Sequence, residues 1–152
     1  MKKLTILISL IIALTMVPLG SFANEPVSEK SITVQDCIVK LIYDNENNPQ
    51  EEANFYGLRH ICESFGYDVE WDSGQNYAIV TGGNGKTLTD TDGNNIDALV
   101  IRPGAYVIEL LDERNGKLDE LPAGYEPFIE NNRLYVHSSV FEKYFGLKAV
   151  ID

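Results

Sequence analysis

The sequence predicts an α+β fold of two pseudo-repeats, each a short helix packed on antiparallel β-strands, sharing one core. Three observations predict it. Much of the chain consists of short β-branched or alternating runs separated by turns rich in Gly, Asn and Asp, the pattern of antiparallel strands. Only two stretches read as helices, residues 57–65 and 138–145, and a Phe-Gly pair closes each. An offset of 80 then places Phe65-Gly66 on Phe145-Gly146, Ile61 on Phe141, Val69 on Ala149, Trp71 on Ile151, and Phe55-Tyr56 on Tyr135-Val136. A unit this small cannot bury both sides of its helix alone. Leu58, Ile61, Phe65 and Trp71 are therefore expected in one core with Phe141, Phe145 and Ile151.

Taken in chain order, residues 32–34 and 38–43 read as strands around a Gln35-Asp36 turn. Residues 44–54 hold four Asn, a Pro and four acidic residues and read as a loop. In the first helix Leu58, Ile61, Cys62 and Phe65 fall at i, i+3, i+4 and i+7, one apolar face. Gly66 ends it in the left-handed conformation. Val69 and Trp71 alternate with Asp68 and Glu70, so a half-exposed strand follows, and Asp72-Ser73-Gly74 turns it back into residues 77–81. Residues 82–85 form another turn, and Asp92-Gly93 marks a hairpin between residues 86–91 and 96–101. A strand over 105–111 precedes the Asn115-Gly116 hairpin turn, and residues 122–124 are loop. Glu130-Asn131-Asn132 joins Phe128-Ile129 to residues 134–136 and needs an Asn in a left-handed conformation. Ser138 or Ser139 can cap the second helix, Gly146 ends it, and residues 148–151 form a last strand. That strand lacks a sequential partner. Residues 32–34 are expected to pair beside it, giving a monomer; strand donation by a second copy or a partner protein is the alternative, giving a strand-exchanged dimer in the first case.

Residues 1–23 read as a signal peptide. Lys2 and Lys3 form its basic start, an apolar run covers residues 4–17, and Ser21-Phe22-Ala23 places small residues at −3 and −1. A spanning helix needs about 20 apolar residues, so a cleaved signal is favoured over an anchor. Residues 24–30 then form a flexible arm and residues 31–152 the domain. The chain is expected to be secreted, extracellular and associated with the cell wall, with no membrane contact after cleavage. It has 12 Lys and Arg against 23 Asp and Glu, a net charge of −11 in 152 residues. Phosphate binding needs a basic surface, so nucleic acid is excluded as a partner.

No residue set commits the chain to chemistry, and catalytic, cofactor and metal residues are all expected to be none. A copper or zinc site needs several converging His or Cys ligands. His60 and His137 lie far apart in sequence, and Cys62, two positions after His60, points away from it on a helix. Residues 90–97 suggest a calcium loop, but the sixth and twelfth positions hold Asn95 and Ile101 where an EF-hand needs Gly and Glu. Ser138 and Ser139 beside His137 read as helix caps, and Cys62-Glu63 lacks a placed His. Asp68, Glu70 and Asp72 share the strand face opposite Val69 and Trp71, a solvent face. Cys37 and Cys62 allow two readings, a disulfide worth about 3–4 kcal/mol or a small core residue at position 62. Tyr56, Tyr67, Tyr125, Tyr135 and Tyr144 could form a stacking face for sugars or peptides, but core filling is the favoured reading.

The residues resemble the copper amine oxidase N-terminal-domain-like, or stalk-domain, family. Its pattern is a hairpin ending Asn-Gly-Arg, an apolar pair, Pro-Leu-Arg, a short helix, Leu-Gly and Val-x-Trp-Asp. The first unit reads Phe55-Tyr56-Gly57-Leu58-Arg59, then Phe65-Gly66, then Val69-Glu70-Trp71-Asp72. The second reads Asn131-Asn132-Arg133-Leu134-Tyr135-Val136, then Phe145-Gly146. Gly57 and His137 replace the helix-opening Pro, and Ser139 replaces the Arg. The resemblance implies an exported, non-catalytic stalk, scaffold or binding module of the bacterial cell envelope, with a cell-wall component or another envelope protein as partner. It implies no copper, because that chemistry belongs to a different domain. A small secreted enzyme inhibitor or wall-active enzyme is the alternative.

Overall fold

The computed structural model describes residues 37–112 and 116–147. The chain begins with a long hairpin, β1 (Cys37–Tyr43) against β2 (Pro49–Gly57). Its turn is built by Asp44, whose carboxylate accepts from the backbone N–H groups of Glu46 and Asn48, both at 2.9 Å. β2 runs without a loop into α1 (Leu58–Ser64). β10 (Phe128–Glu130) and β11 (Arg133–His137) form a second hairpin, and β11 runs equally directly into α2 (Ser138–Phe145). Its turn residues Asn131 and Asn132 have φ of 48° and 64°, so both are left-handed, as a two-residue hairpin loop of this kind requires.

β2 and β11 pair antiparallel through Phe55 with His137, Tyr56 with Val136 and Gly57 with Tyr135. This joins the two hairpins into one sheet, ordered β1-β2-β11-β10. The remaining strands form β3 (Asp68–Asp72), β4 (Tyr77–Thr81), β7 (Ala98–Ile101), β8 (Val107–Leu111) and β9 (Gly116–Glu120), a five-stranded antiparallel sheet in that order. Between β4 and β7, β5 (Leu88–Thr89) and β6 (Asn95–Ile96) make a small separate hairpin. The fold is thus mixed helix and strand, with antiparallel sheets and two helices among the described residues.

The main core fills the space between the helices and the inner face of the five-stranded sheet. Leu58, Ile61 and Cys62 of α1 meet Val140, Phe141, Tyr144 and Phe145 of α2 in one cluster with Val69, Val80, Leu99, Ile101 and Ile108. Aromatic edges lock the halves: Tyr67, just after α1, meets Phe145 at 4.8 Å, and Tyr56 meets Phe141 at 6.2 Å. The other side of the four-stranded sheet carries a smaller cluster of Ala53, Phe55 and Tyr135, against which Ile38, Ile42, Tyr125 and Phe128 pack. Lys40 lies over the Phe128 ring, 3.0 Å from its centroid.

Both helices stop as expected. Gly66 and Gly146 have φ of 84° and 63°, and the amides beyond them return to Cys62 and Phe141 carbonyls. Four expectations need correction. Residues 49–54 are strand rather than loop: residues 49–52, at the distal end of the hairpin, are exposed and only Ala53 of the segment is fully buried, so the apolar alternation that would mark a strand is absent. Trp71 is 38% exposed instead of buried. It does lie on the inner face of the five-stranded sheet, in register with buried Ala78 and Ile101, but on edge strand β3 beyond the cover of α1. Phe65 is only half-buried against the core. Finally, neither serine caps α2. His137 does, its Nδ1 accepting from the Ser139 backbone N–H at 3.2 Å and lying 2.8 Å from the Ser139 hydroxyl. Residues 1–36 and 148–152, with the signal peptide, the arm, the strand at 32–34 and the closing strand with Ile151, lie outside the described residues.

Phe141→Ala should destabilise the protein by about 3–5 kcal/mol in chemical denaturation. Trp71→Ala should cost less, on the order of 1–2 kcal/mol, because part of the indole remains in water. A reversed ranking would contradict the core described here. His137 supplies a pH test. Burial holds its imidazole below the ordinary value of 6.5, with Glu51 opposing weakly, and only the neutral ring can accept the Ser139 N–H. A folded-state value below the unfolded one means that the unfolded chain binds the proton first. Stability should therefore be full above about pH 6.5 and fall as pH drops below it. The carboxylates held low, Asp44, Asp90 and Asp119, lose their contributions only below their ordinary 3.8. His137→Asn, which keeps a cap, should flatten the upper step.

Candidate functional site

The uncovered corner around Trp71 is a groove of about 850 Å³. Three separate stretches build it. β3 and β4 supply the floor with Val69, Trp71 and Ala78. The end of β2 and one face of α1 supply Gly57, Leu58, Arg59, His60 and Glu63 as one wall. The β10–β11 turn supplies Ile129, Asn132, Arg133 and Leu134 as the other. The floor exists because inward residues of an edge strand need a covering element, and α1, at seven residues, is too short to reach over Trp71. Ile129 is likewise about half exposed. Arg59 pairs with Glu63 one turn on, at 2.9 Å, both side chains open to solvent. Two of the chain's four arginines thus rim an apolar floor in a protein of net charge −11. The volume is in the range of ordinary ligand sites, but the groove is open.

Most of the residues considered from sequence for chemistry are distributed elsewhere. His60 is exposed on the groove wall, whereas His137 is buried at the start of α2. Among the described residues no three His, Cys, Asp or Glu side chains come together as a metal-holding group. Asp90 accepts from the backbone N–H groups of Asp92 and Asn94 at 2.9 and 2.8 Å and from the Asn94 amide at 3.0 Å, an ordinary turn that uses both carboxylate oxygens. Asp68 and Glu70 are exposed, and Asp72 folds back on its own turn, accepting from Gly74 and Gln75 N–H groups.

The Ser139 and His137 side chains touch, but the same ring nitrogen accepts the Ser139 N–H, so this is helix-start geometry two residues wide. His137 is sandwiched instead of exposed: Tyr125 stacks on it at 3.7 Å and Phe55 meets it edge-on at 5.4 Å. The Tyr125 hydroxyl donates to Glu51, which pushes the phenol's pKa up. The thiols are both free, Cys37 half-buried near Asn54 and Cys62 fully buried, and burial pushes both upward, Cys62 strongly. Tyr56, Tyr67, Tyr135 and Tyr144 are core residues, so of the five tyrosines only Tyr125 retains partial exposure. Tyr144 donates to Asp119, which also accepts from Lys143 at 2.5 Å and so ties edge strand β9 to α2. Burial raises the Asp119 carboxyl, but these two partners outweigh it and hold it low.

Sequence reasoning did not find the groove. Arg59, Trp71 and Arg133 each stood in the quoted motif stretches, but nothing in their spacing says that three stretches meet. Among the described residues no helix is long and apolar enough to cross a membrane. Comparison with curated proteins found no match, and comparison with solved structures found none. The family model described as the copper amine oxidase N-terminal domain matches residues 40–152, which includes every residue of the groove. The chain belongs to that copper amine oxidase N-terminal domain family.

Proposed function

We propose that the protein is a secreted, non-catalytic stalk or scaffold module of the bacterial cell envelope that binds a wall component or another envelope protein through the Trp71 groove. The single observation that carries this reading is the convergence of Arg59, Trp71 and Asn132-Arg133 on one groove. They come from the Leu-Arg, Trp-Asp and Asn-x-Arg stretches through which the chain resembles its family. Membership of a family named for an amino-terminal domain is compatible with an accessory role rather than a catalytic one. The basic, apolar and small-residue order of residues 1–23 supports export, which would place the groove outside the cell.

The two-unit reading belongs to the same proposal. Each unit is a hairpin whose second strand runs into a helix. Their contact centres on Tyr56 and Val136, which are equivalent under the offset of 80, and Phe55 and Gly57 meet the equivalents of each other. A pairing that maps onto itself is what two copies related by a twofold axis would make. The groove breaks this symmetry, because it uses the helix of one unit and the hairpin turn of the other.

The test is retention on purified cell walls. The protein should sediment with walls, and Trp71→Ala should reduce the retained fraction at least tenfold while leaving the cooperative unfolding transition in place. Copurification with one soluble enzyme, and no wall retention, would overturn the module reading in favour of an inhibitor.

A further inference from the structure

The proposed binding role of the groove leads to a ligand class. We propose that the groove takes a glycan whose sugars carry carboxylates, one sugar face lying on Trp71 and an adjacent carboxylate held by Arg133 and Arg59. The chemistry of the lining selects this class. The indole is a broad apolar surface left about two-fifths exposed beside buried Val69 and Ala78, which suits the CH-rich face of a sugar ring. Guanidinium groups hold carboxylates through paired parallel hydrogen bonds, and they stand on the two walls that flank that surface. Asn132 lies beside Arg133, and its amide offers a donor and an acceptor to ring hydroxyls. The chain as a whole is strongly acidic, whereas the groove lining carries Arg59 and Arg133 against one carboxylate, Glu63, which pairs with Arg59, so its net positive charge is a local exception that favours an anionic ligand.

An acidic peptide is disfavoured by the adjoining strand edge. A peptide most readily joins β3, an edge strand, by adding a strand beside it. That strand carries Asp68, Glu70 and Asp72 at alternate positions, a charged edge of the kind that blocks such pairing. A glycan needs no backbone ladder and can reach the groove with its carboxylate directed at the arginine end.

The experiment is calorimetric titration of the intact chain with three probes: tetragalacturonate, the same tetramer as its methyl ester, and a tetraglutamate peptide. Trp71→Ala, Trp71→Phe and Arg133→Gln are titrated alongside, with denaturation curves to establish that each is folded. The expected result is saturable binding of tetragalacturonate, at least tenfold weaker for the ester and for Trp71→Ala, several-fold weaker for Arg133→Gln, and weakened by salt. Trp71→Phe should retain most of the affinity. Equal binding of acid and ester would overturn the proposal, as would binding unaffected by Trp71→Ala and Arg133→Gln. Tighter binding of tetraglutamate than of tetragalacturonate would make the groove a peptide site and overturn it too. Retention on cell walls without affinity for tetragalacturonate would sink this inference and leave the module reading standing. Affinity for tetragalacturonate without wall retention would do the opposite.

Discussion

Tyr56 and Val136 face each other across the centre of the four-stranded sheet, and both strands that carry them turn straight into helices. With no loop between strand and helix, the direction of each helix is set by the strand before it. The pairing of β2 with β11 therefore places α1 and α2 together, on the side where Tyr56 and Val136 are buried. Those helices can then share a cluster with the inner face of the five-stranded sheet. The contact is between residues far apart in the chain, so its loop-closure cost must be met by what it brings together. The reward is the burial of Phe141, Tyr144 and Phe145 beside Leu58 and Ile61.

The same constraint creates the groove. α1 is short because Gly66 stops it, and it leaves β2 at a position that covers Val69 but not Trp71. The β10–β11 turn, carried alongside by the β2–β11 pairing, closes the far wall with Ile129 and Arg133. A longer helix would bury the indole and remove the groove, so the exposed tryptophan follows from the architecture.

Local chemistry made most of the elements legible. The turns at Asp44, Asp72 and Asp90 are each held by a carboxylate that accepts nearby backbone N–H groups, and Asn and Gly at positive φ mark most of the others. The four apolar positions of α1 and the glycine stops of both helices were readable for the same reason. What could not be read depended on neighbours distant in sequence. The parity of Val69 and Trp71 put both on one face correctly, but parity does not say how far a covering helix extends. Residues 49–54 show no alternation because residues 49–52 lie exposed at the far end of the hairpin and only Ala53 is buried in the small cluster. His137 was passed over as a cap because imidazole accepts a backbone N–H only when neutral, a state that its burial between Tyr125 and Phe55 favours. The arginines of the groove lacked any spacing signal, since β-pairing and helix direction bring them together.

The central claim is that the indole of Trp71 stands open at an uncovered corner of the sheet face that carries the main core. Trp71 is the only tryptophan in the chain, so intrinsic fluorescence reports on it alone. The most direct measurement is acrylamide and iodide quenching of the native protein, compared with the same protein unfolded in guanidinium chloride. The account predicts substantial quenching in the native state, with iodide more effective than the overall negative charge would allow because arginines rim the site. A blue-shifted emission that neither quencher reaches in the native protein would contradict it, for it would place the indole in a closed core.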